Sequence, residues 1–168
     1  MDPLMVSLRV FHIVFGTILV GNAVFLALIL GPKLRVLGPP VQGPVMSALM
    51  PLFIKVQATS VVVIYVTGVY ITLELRGSSL DTFFSTGWGW AILFGTIATI
   101  AATIVGFGIS VPTSNRMNNL GRSFQGRPPT PEEMGQMQRL GARLTTLGNI
   151  NAVLALIALG AMAAARYV

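Results

Sequence analysis

Residues Arg9–Leu30 read RVFHIVFGTILVGNAVFLALIL, and this stretch decides the architecture of the chain. An α-helix rises 1.5 Å per residue, so a run of about 20 apolar residues crosses the roughly 30 Å hydrocarbon core of a bilayer. The stretch therefore predicts a first membrane-spanning helix. It also holds His12, the only histidine of the chain. Because ionisable groups inside membrane helices are costly and rare, His12 is the first candidate for a functional residue.

The composition of the whole chain is that of an integral membrane protein. Of its 168 residues, 54% are hydrophobic and 10% are charged, whereas soluble domains carry about 25% charged residues. The formal net charge is +6, and the basic residues lie mainly between the apolar runs, where they set topology and meet anionic headgroups. We therefore expect the lipid bilayer as a partner and no nucleic acid.

Four apolar runs predict a single integral membrane domain over residues 1–168. The predicted helices cover residues 9–30, 52–75, 88–111 and 131–163, and the membrane part of the last is 144–163. Gly31-Pro32 and Pro112 are predicted to end the first and third helices, because proline lacks the amide donor. The connection between the first two helices is predicted to hold a short interfacial helix, Val45–Leu49. Short connections favour an all-α, transmembrane, antiparallel four-helix bundle.

Two short matches indicate a duplicated helical hairpin. The first helix is followed by GPKLR and the third by VPTSNR. Lys55 and Arg143, near the starts of the second and fourth membrane segments, are each followed by threonines. The chain would then consist of two related helix pairs.

The distribution of basic residues predicts the orientation. Cytoplasmic loops carry an excess of lysine and arginine. Both chain termini should therefore lie outside and the segments 31–51 and 112–143 in the cytoplasm, and we expect the plasma membrane of a prokaryote. The basic residues of these two segments are Lys33, Arg35, Arg116, Arg122, Arg127, Arg139 and Arg143, against Arg9, Arg76 and Arg166 on the other side.

The predicted depth of His12 limits its partners. At that depth the second helix presents Gly68 and Tyr70, and the fourth presents Gly160 and Met162. Histidine and methionine together are a known axial ligand pair for haem. This predicts a b-type haem on His12 and Met162, for which Gly16 and Gly160 leave room and Tyr70 bonds a propionate. A five-coordinate haem bound by His12 alone is a simpler alternative, because it does not require Met162 to lie opposite His12.

Other interpretations of these residues remain open. His12 can simply hydrogen-bond to a neighbouring helix, and Met162 can be ordinary apolar filling. A metal or proton role for His12 is a further alternative. Thioether and imidazole suit Cu(I), but the methionine pairs Met46 with Met50 and Met134 with Met137 fall on the side away from His12.

The quoted first helix, with H-x8-G from His12 to Gly21 followed by GPKLR, resembles the opening helix of CopD-type copper-resistance membrane domains. It also resembles their uncharacterised four-helix relatives and, more distantly, HemJ-type protoporphyrinogen oxidases. The closing stretch INAVLALIALGAMAAARY is similar to the final helix of the uncharacterised members. The resemblance implies a membrane bundle in which His12 binds haem. The further histidines and the first-helix tryptophan of the HemJ-type enzymes have no counterpart here.

The leading hypothesis is a b-type haem-binding membrane protein for electron transfer or haem-linked oxidation, acting as a subunit of a larger respiratory membrane complex. The competing hypothesis is a cofactor-free accessory subunit that packs against other membrane subunits, or against copies of itself, through small-residue stripes. A third and weaker hypothesis is that the protein transports copper or a small solute. Whether the protein is an enzyme stays open, and no hydrolytic motif is present.

Overall fold

The computed structural model describes residues 2–76, 83–124 and 126–168, which form four long helices. Helix α1 spans Pro3–Leu37, α2 Pro39–Arg76, α3 Gly87–Ser123 and α4 Pro131–Ala164. Each contains a segment long and apolar enough to cross a membrane. The predicted all-α architecture of four apolar helices is therefore confirmed. The predicted loop between α2 and α3 falls largely on residues 77–82, outside the described residues.

Two of the predicted helix ends are corrected by the structure, because α1 and α3 both continue past a proline. Each helix changes to the wider π-helical register directly before that proline, at Phe25–Leu30 and at Ile104–Ser110. Proline has no amide hydrogen, and its ring clashes with the carbonyl four residues earlier. In the π register the amide of Gly31 bonds the carbonyl of Leu26, five residues back. The wider turn thus accommodates the proline without ending the helix.

Helix α2 also starts earlier than predicted. The structure has one helix from Pro39 to Arg76, with Pro44 and Pro51 inside it, in place of a loop with a short interfacial helix. Gly38 alone separates α1 from α2, and its φ of 80° is one that glycine adopts without strain. The predicted basic loops 31–51 and 112–143 are therefore mostly helical. Since α1 has 35 residues and is about 52 Å long, it extends well beyond the hydrocarbon core.

The start of α4 has an N-cap at Thr130, which the sequence Thr130-Pro131-Glu132-Glu133 predicts, because threonine, proline and acidic residues favour the first turn in that order. The Thr130 hydroxyl accepts a hydrogen bond from the amide of Glu133, and the Glu133 carboxylate accepts one from the amide of Thr130. Arg127 forms an ion pair with the same carboxylate at 2.6 Å. Hydrogen bonds from Arg127 and from the Thr130 amide lower the pKa of Glu133 to about 2. This reciprocal cap satisfies donors that would otherwise lack partners at the helix start.

The helices pack in the spatial order α2, α1, α4, α3, with α1 against both α2 and α4 and with α3 against α4. Small side chains permit this close packing, as is usual between membrane helices. The shared proline and π-helix arrangement in α1 and α3 favours the duplicated hairpin, α1–α2 and α3–α4. The residues of the central cluster are Leu19, Val20, Ala23, Ile64 and Ala155.

Candidate functional site

His12 lies on the face of α1 that packs against α2. Its Nδ1 is 2.9 Å from the hydroxyl oxygen of Thr67. That hydroxyl has a single hydrogen, which it donates to the carbonyl of Val63 at 2.6 Å. With that hydrogen assigned to Val63, the hydroxyl oxygen accepts from Nδ1 of His12, and the backbone carbonyl of Ile64 is a second acceptor beside the ring. In this assignment the proton lies on Nδ1 and the lone pair of the neutral ring on Nε2.

Because Gly68 has no side chain, the imidazole of His12 packs directly against the backbone of α2. A Cβ atom built on Gly68 would lie 3.1 Å from Cε1 of His12, which is closer than side chains normally approach. The histidine ring is half-buried, and the neighbouring Thr67 is buried. Sequence reasoning placed Gly68 at the depth of His12 but missed Thr67. A threonine beside a glycine inside an apolar helix is the signal that marks this contact.

Met162, the predicted second axial ligand, faces another helix. It lies on α4 against α3, where a Cβ on Gly95 would come within 2.9 Å of its Cε atom. His12 in contrast contacts Thr67 and Gly68 of α2. The structure therefore places Met162 against α3 and His12 against α2, although both lie toward the same end of the bundle. The depth of Met162 in the membrane follows from its position along the sequence. The direction in which it faces depends on the rotation of α4 about its axis, which the sequence does not give.

Gly16 and Gly160, predicted to leave room for a macrocycle, both border open space. No atom lies within 4 Å of a Cβ built on either glycine. Gly16 follows His12 by four residues, so the two share one face of α1. Gly160 is exposed on α4. The assignment of these two glycines to a haem site stays a prediction.

Tyr70, the predicted propionate partner, lies two residues after Gly68 and therefore on a different face of α2. It is 40% exposed and lines an open, apolar groove of about 430 Å³. Thr67 and Gly68, which contact His12, are not among the residues of this groove. Tyr70 is thus not placed beside the His12 ring. The other residues that line the groove are Tyr65, Val66, Val69 and Leu73.

A second polar cluster, which sequence reasoning missed, lies at the centre of the bundle. Gln57 donates to the carbonyl of Leu19 at 3.3 Å and accepts from Asn22 at 3.5 Å, which joins α1 and α2. Tyr65 of α2 bonds Thr103 of α3 at 3.2 Å. The sequence signal is the presence of side-chain amides in the middle of apolar runs. The amides of this cluster are Asn22, Gln57 and Asn151.

Metal-ligating groups are sparse in this arrangement. Within residues 2–76, 83–124 and 126–168, no three His, Asp or Glu side chains are grouped as a metal site would require. A haem iron held by one histidine needs no such group. His12 is therefore the residue on which a cofactor hypothesis depends.

Comparison of the chain with protein-family models, with curated proteins and with solved structures finds no match in any of the three.

Proposed function

We propose that this integral membrane protein binds one b-type haem through Nε2 of His12, and that it serves electron transfer or haem-linked oxidation as a subunit of a larger respiratory complex. The observation that supports the proposal is the 2.9 Å hydrogen bond between Nδ1 and Thr67. Metal-binding histidines usually donate their other ring nitrogen to a nearby acceptor, which fixes the tautomer and the ring orientation. The resemblance to CopD-type and HemJ-type membrane domains points in the same direction.

A haem held by His12 would have one protein ligand and would lie at the surface of the bundle. Sites for large organic ligands have volumes of about 300–1,000 Å³, whereas the cavity at the bundle centre measures about 20 Å³. Gly16, one turn after His12 on α1, has no described atom within 4 Å of a built Cβ, which leaves space next to the His12 side chain. When bound, the haem supplies a one-electron redox couple whose potential depends on its axial ligands. Because Met162 packs against Gly95, we assign only His12 as ligand.

The test is the reduced-minus-oxidised visible spectrum of detergent-purified protein from cells supplied with haem. We expect a Soret band and, because His12 is the only assigned axial ligand, one broad visible band in place of the sharp α-band at about 560 nm of haem with two axial ligands. Both bands should be lost in His12→Ala and kept in Met162→Leu, which is the matched control from the other predicted ligand. A colourless wild-type protein would overturn the proposal. Loss of the bands in both variants would restore Met162 as the second ligand.

The alternative function is that of a cofactor-free accessory subunit, and open glycines on α1 and α4 favour it. No atom lies within 4 Å of a Cβ built on Gly21, Gly148 or Gly160, and small residues on the outside of a helix permit close approach of a partner helix. Ala152, which lies on α4 between Gly148 and Gly160, is instead buried within the bundle. Gly160→Ile should abolish a partner or self-association seen on gentle purification, whereas Ala163→Ile on the same helix should not.

The proposed orientation has both termini outside a prokaryotic plasma membrane and the basic helix ends in the cytoplasm, as the positive-inside rule predicts. The chain lacks cysteine, so single cysteines report sidedness without background. Ser123→Cys should resist a membrane-impermeant thiol reagent in intact cells, and Ser7→Cys should react. The opposite labelling pattern would invert the proposed topology.

A further inference from the structure

A small cavity lies between the two helical hairpins, where all four helices meet. Its volume is about 20 Å³, and its lining includes Leu19 of α1, Gln57 of α2 and Asn151 of α4. Helix α3 contributes Thr99, Thr103, Gly106 and Phe107. This cavity is separate from His12, and the proposed haem function does not use it.

Asn151 is the unusual residue of the cavity. Its side-chain oxygen is buried and has no hydrogen-bond partner among the described residues. Buried polar atoms are nearly always bonded, because an unpaired acceptor loses its interaction with water. The oxygen lies 3.8 Å from the position of the Cβ that Gly106 lacks. The missing side chain at Gly106 thus leaves space directly in front of an unsatisfied acceptor.

The other oxygens of the cavity cannot satisfy Asn151, because their hydrogens are already in use. The Thr99 hydroxyl donates to the carbonyl of Gly95 at 2.8 Å, and Thr103 donates to that of Thr99 at 2.8 Å. With that hydrogen in use, Tyr65 donates to the Thr103 oxygen. Apart from the amide of Gln57, the hydrogen-bonding groups around Asn151 are therefore mainly acceptors.

The backbone of α3 is irregular at the same place. Gly106 and Phe107 belong to the π-helical segment Ile104–Ser110. Single π-helical turns within α-helices occur frequently at functional sites. The π-helical segment of α1, Phe25–Leu30, contributes no residue to the cavity. The unpaired oxygen of Asn151, the missing side chain at Gly106 and the π-helical segment Ile104–Ser110 thus all belong to the second hairpin.

We propose that this cavity binds one water molecule, which donates to Asn151 and bridges the two hairpins. A water needs about 10–15 Å³ of such space and about three hydrogen-bonding partners, and the cavity supplies both. The amide of Gln57, which lines the cavity from the first hairpin, has a second N–H to offer the water. A metal cation fits less well, because no charged side chain lines the cavity and a charge at the bilayer centre is costly.

The first test compares Asn151→Leu with Asn149→Leu, an exposed asparagine on the same helix. If water is bound, Asn151→Leu displaces it and leaves the remaining acceptors without a donor, so the thermal midpoint in detergent should fall by a few degrees below that of Asn149→Leu. If the cavity is dry, the leucine removes an unpaired acceptor and fills a void. A midpoint above that of the control would then overturn the proposal.

The second test detects the water directly. X-ray-generated hydroxyl radicals should label Phe107, beside the cavity, more than the membrane-facing Phe94, when peptides are analysed by mass spectrometry. Gly106→Ala, a small change expected to fold, should reduce Phe107 labelling to the level of Phe94 by occupying the space of the water. Equal labelling of both residues in the wild-type protein would contradict the proposal. A thermal midpoint that rises with sodium or potassium chloride but not with choline chloride would also contradict the proposal, because it would show that the cavity binds a metal cation.

Discussion

The two polar regions of the bundle, at His12 and at Asn151, satisfy their buried groups in opposite ways. His12 contacts Thr67 and Gly68 within one hairpin, and its Nδ1 proton has a defined acceptor. Asn151 lies between the hairpins, and its oxygen has no donor among the described residues. The first arrangement fixes one side chain and leaves Nε2 available, whereas the second leaves a gap of the size of one water. The comparison shows that the first hairpin pairs its polar side chains directly, whereas the junction between the hairpins combines one direct bond, Tyr65–Thr103, with an acceptor for which we propose a water.

The largest expected effect that tests this comparison comes from Gly68→Leu. The added side chain cannot fit within 3.1 Å of the His12 ring without separating α1 from α2. Overpacking of this kind costs about 1–3 kcal/mol. The measurement is reversible unfolding in detergent, and Gly16→Leu, at an open position of α1, is the control. Equal stability of the two variants would show that the His12 contact is loose.

A smaller effect is expected from Thr67→Val, which keeps the shape but removes the acceptor of Nδ1. We expect a loss of about 1 kcal/mol, as is usual for a single hydrogen bond. Nitrogen NMR of labelled histidine should also show a mixture of tautomers in the variant and protonated Nδ1 in the wild type. A wild-type spectrum with the proton on Nε2 would refute the assignment of the free lone pair.

Tyr65→Phe tests the direct polar contact between the hairpins, and its effect should be smaller still. The Tyr65–Thr103 distance is 3.2 Å, and hydrogen bonds between membrane helices contribute about 0.6 kcal/mol on average. A double-mutant cycle with Thr103→Val isolates the pair. A coupling well above 1 kcal/mol would mean that direct bonds, and not the cavity, dominate the junction.

The smallest effect should come from Glu133→Gln, in the water-exposed cap of α4, which serves as a reference outside the membrane. The pKa of Glu133 is lowered from 4.5 to about 2. The stabilisation from its charge is therefore fully present above pH 4.5 and is lost as the pH falls through about 2. The difference in thermal midpoint between wild type and variant should disappear over that window. A difference that persists well below pH 2, where the carboxylate is protonated, would assign the effect to something other than its charge.

Much of the fold could be predicted from the chain, because bilayer crossing depends on the length and polarity of local segments. The four apolar helices and the Thr130 cap agree with the structure. The helix ends predicted at Pro32 and Pro112 were wrong, because a proline breaks a regular α-helix but is accommodated after a π-helical turn. The haem, respiratory role and orientation remain proposals that rest on His12 and on the charge distribution.

The sequence by itself determined which side chains are polar and how deep each lies along its helix. It therefore identified His12 and placed Gly68, Met162 and Gly160 at a similar level. Only the tertiary structure decided which of them meet, because contact depends on the rotation of each helix about its axis and on the order α2, α1, α4, α3. In that order His12 contacts Thr67, Met162 contacts Gly95, and the side chain of Asn151 faces the space that the missing Cβ of Gly106 leaves.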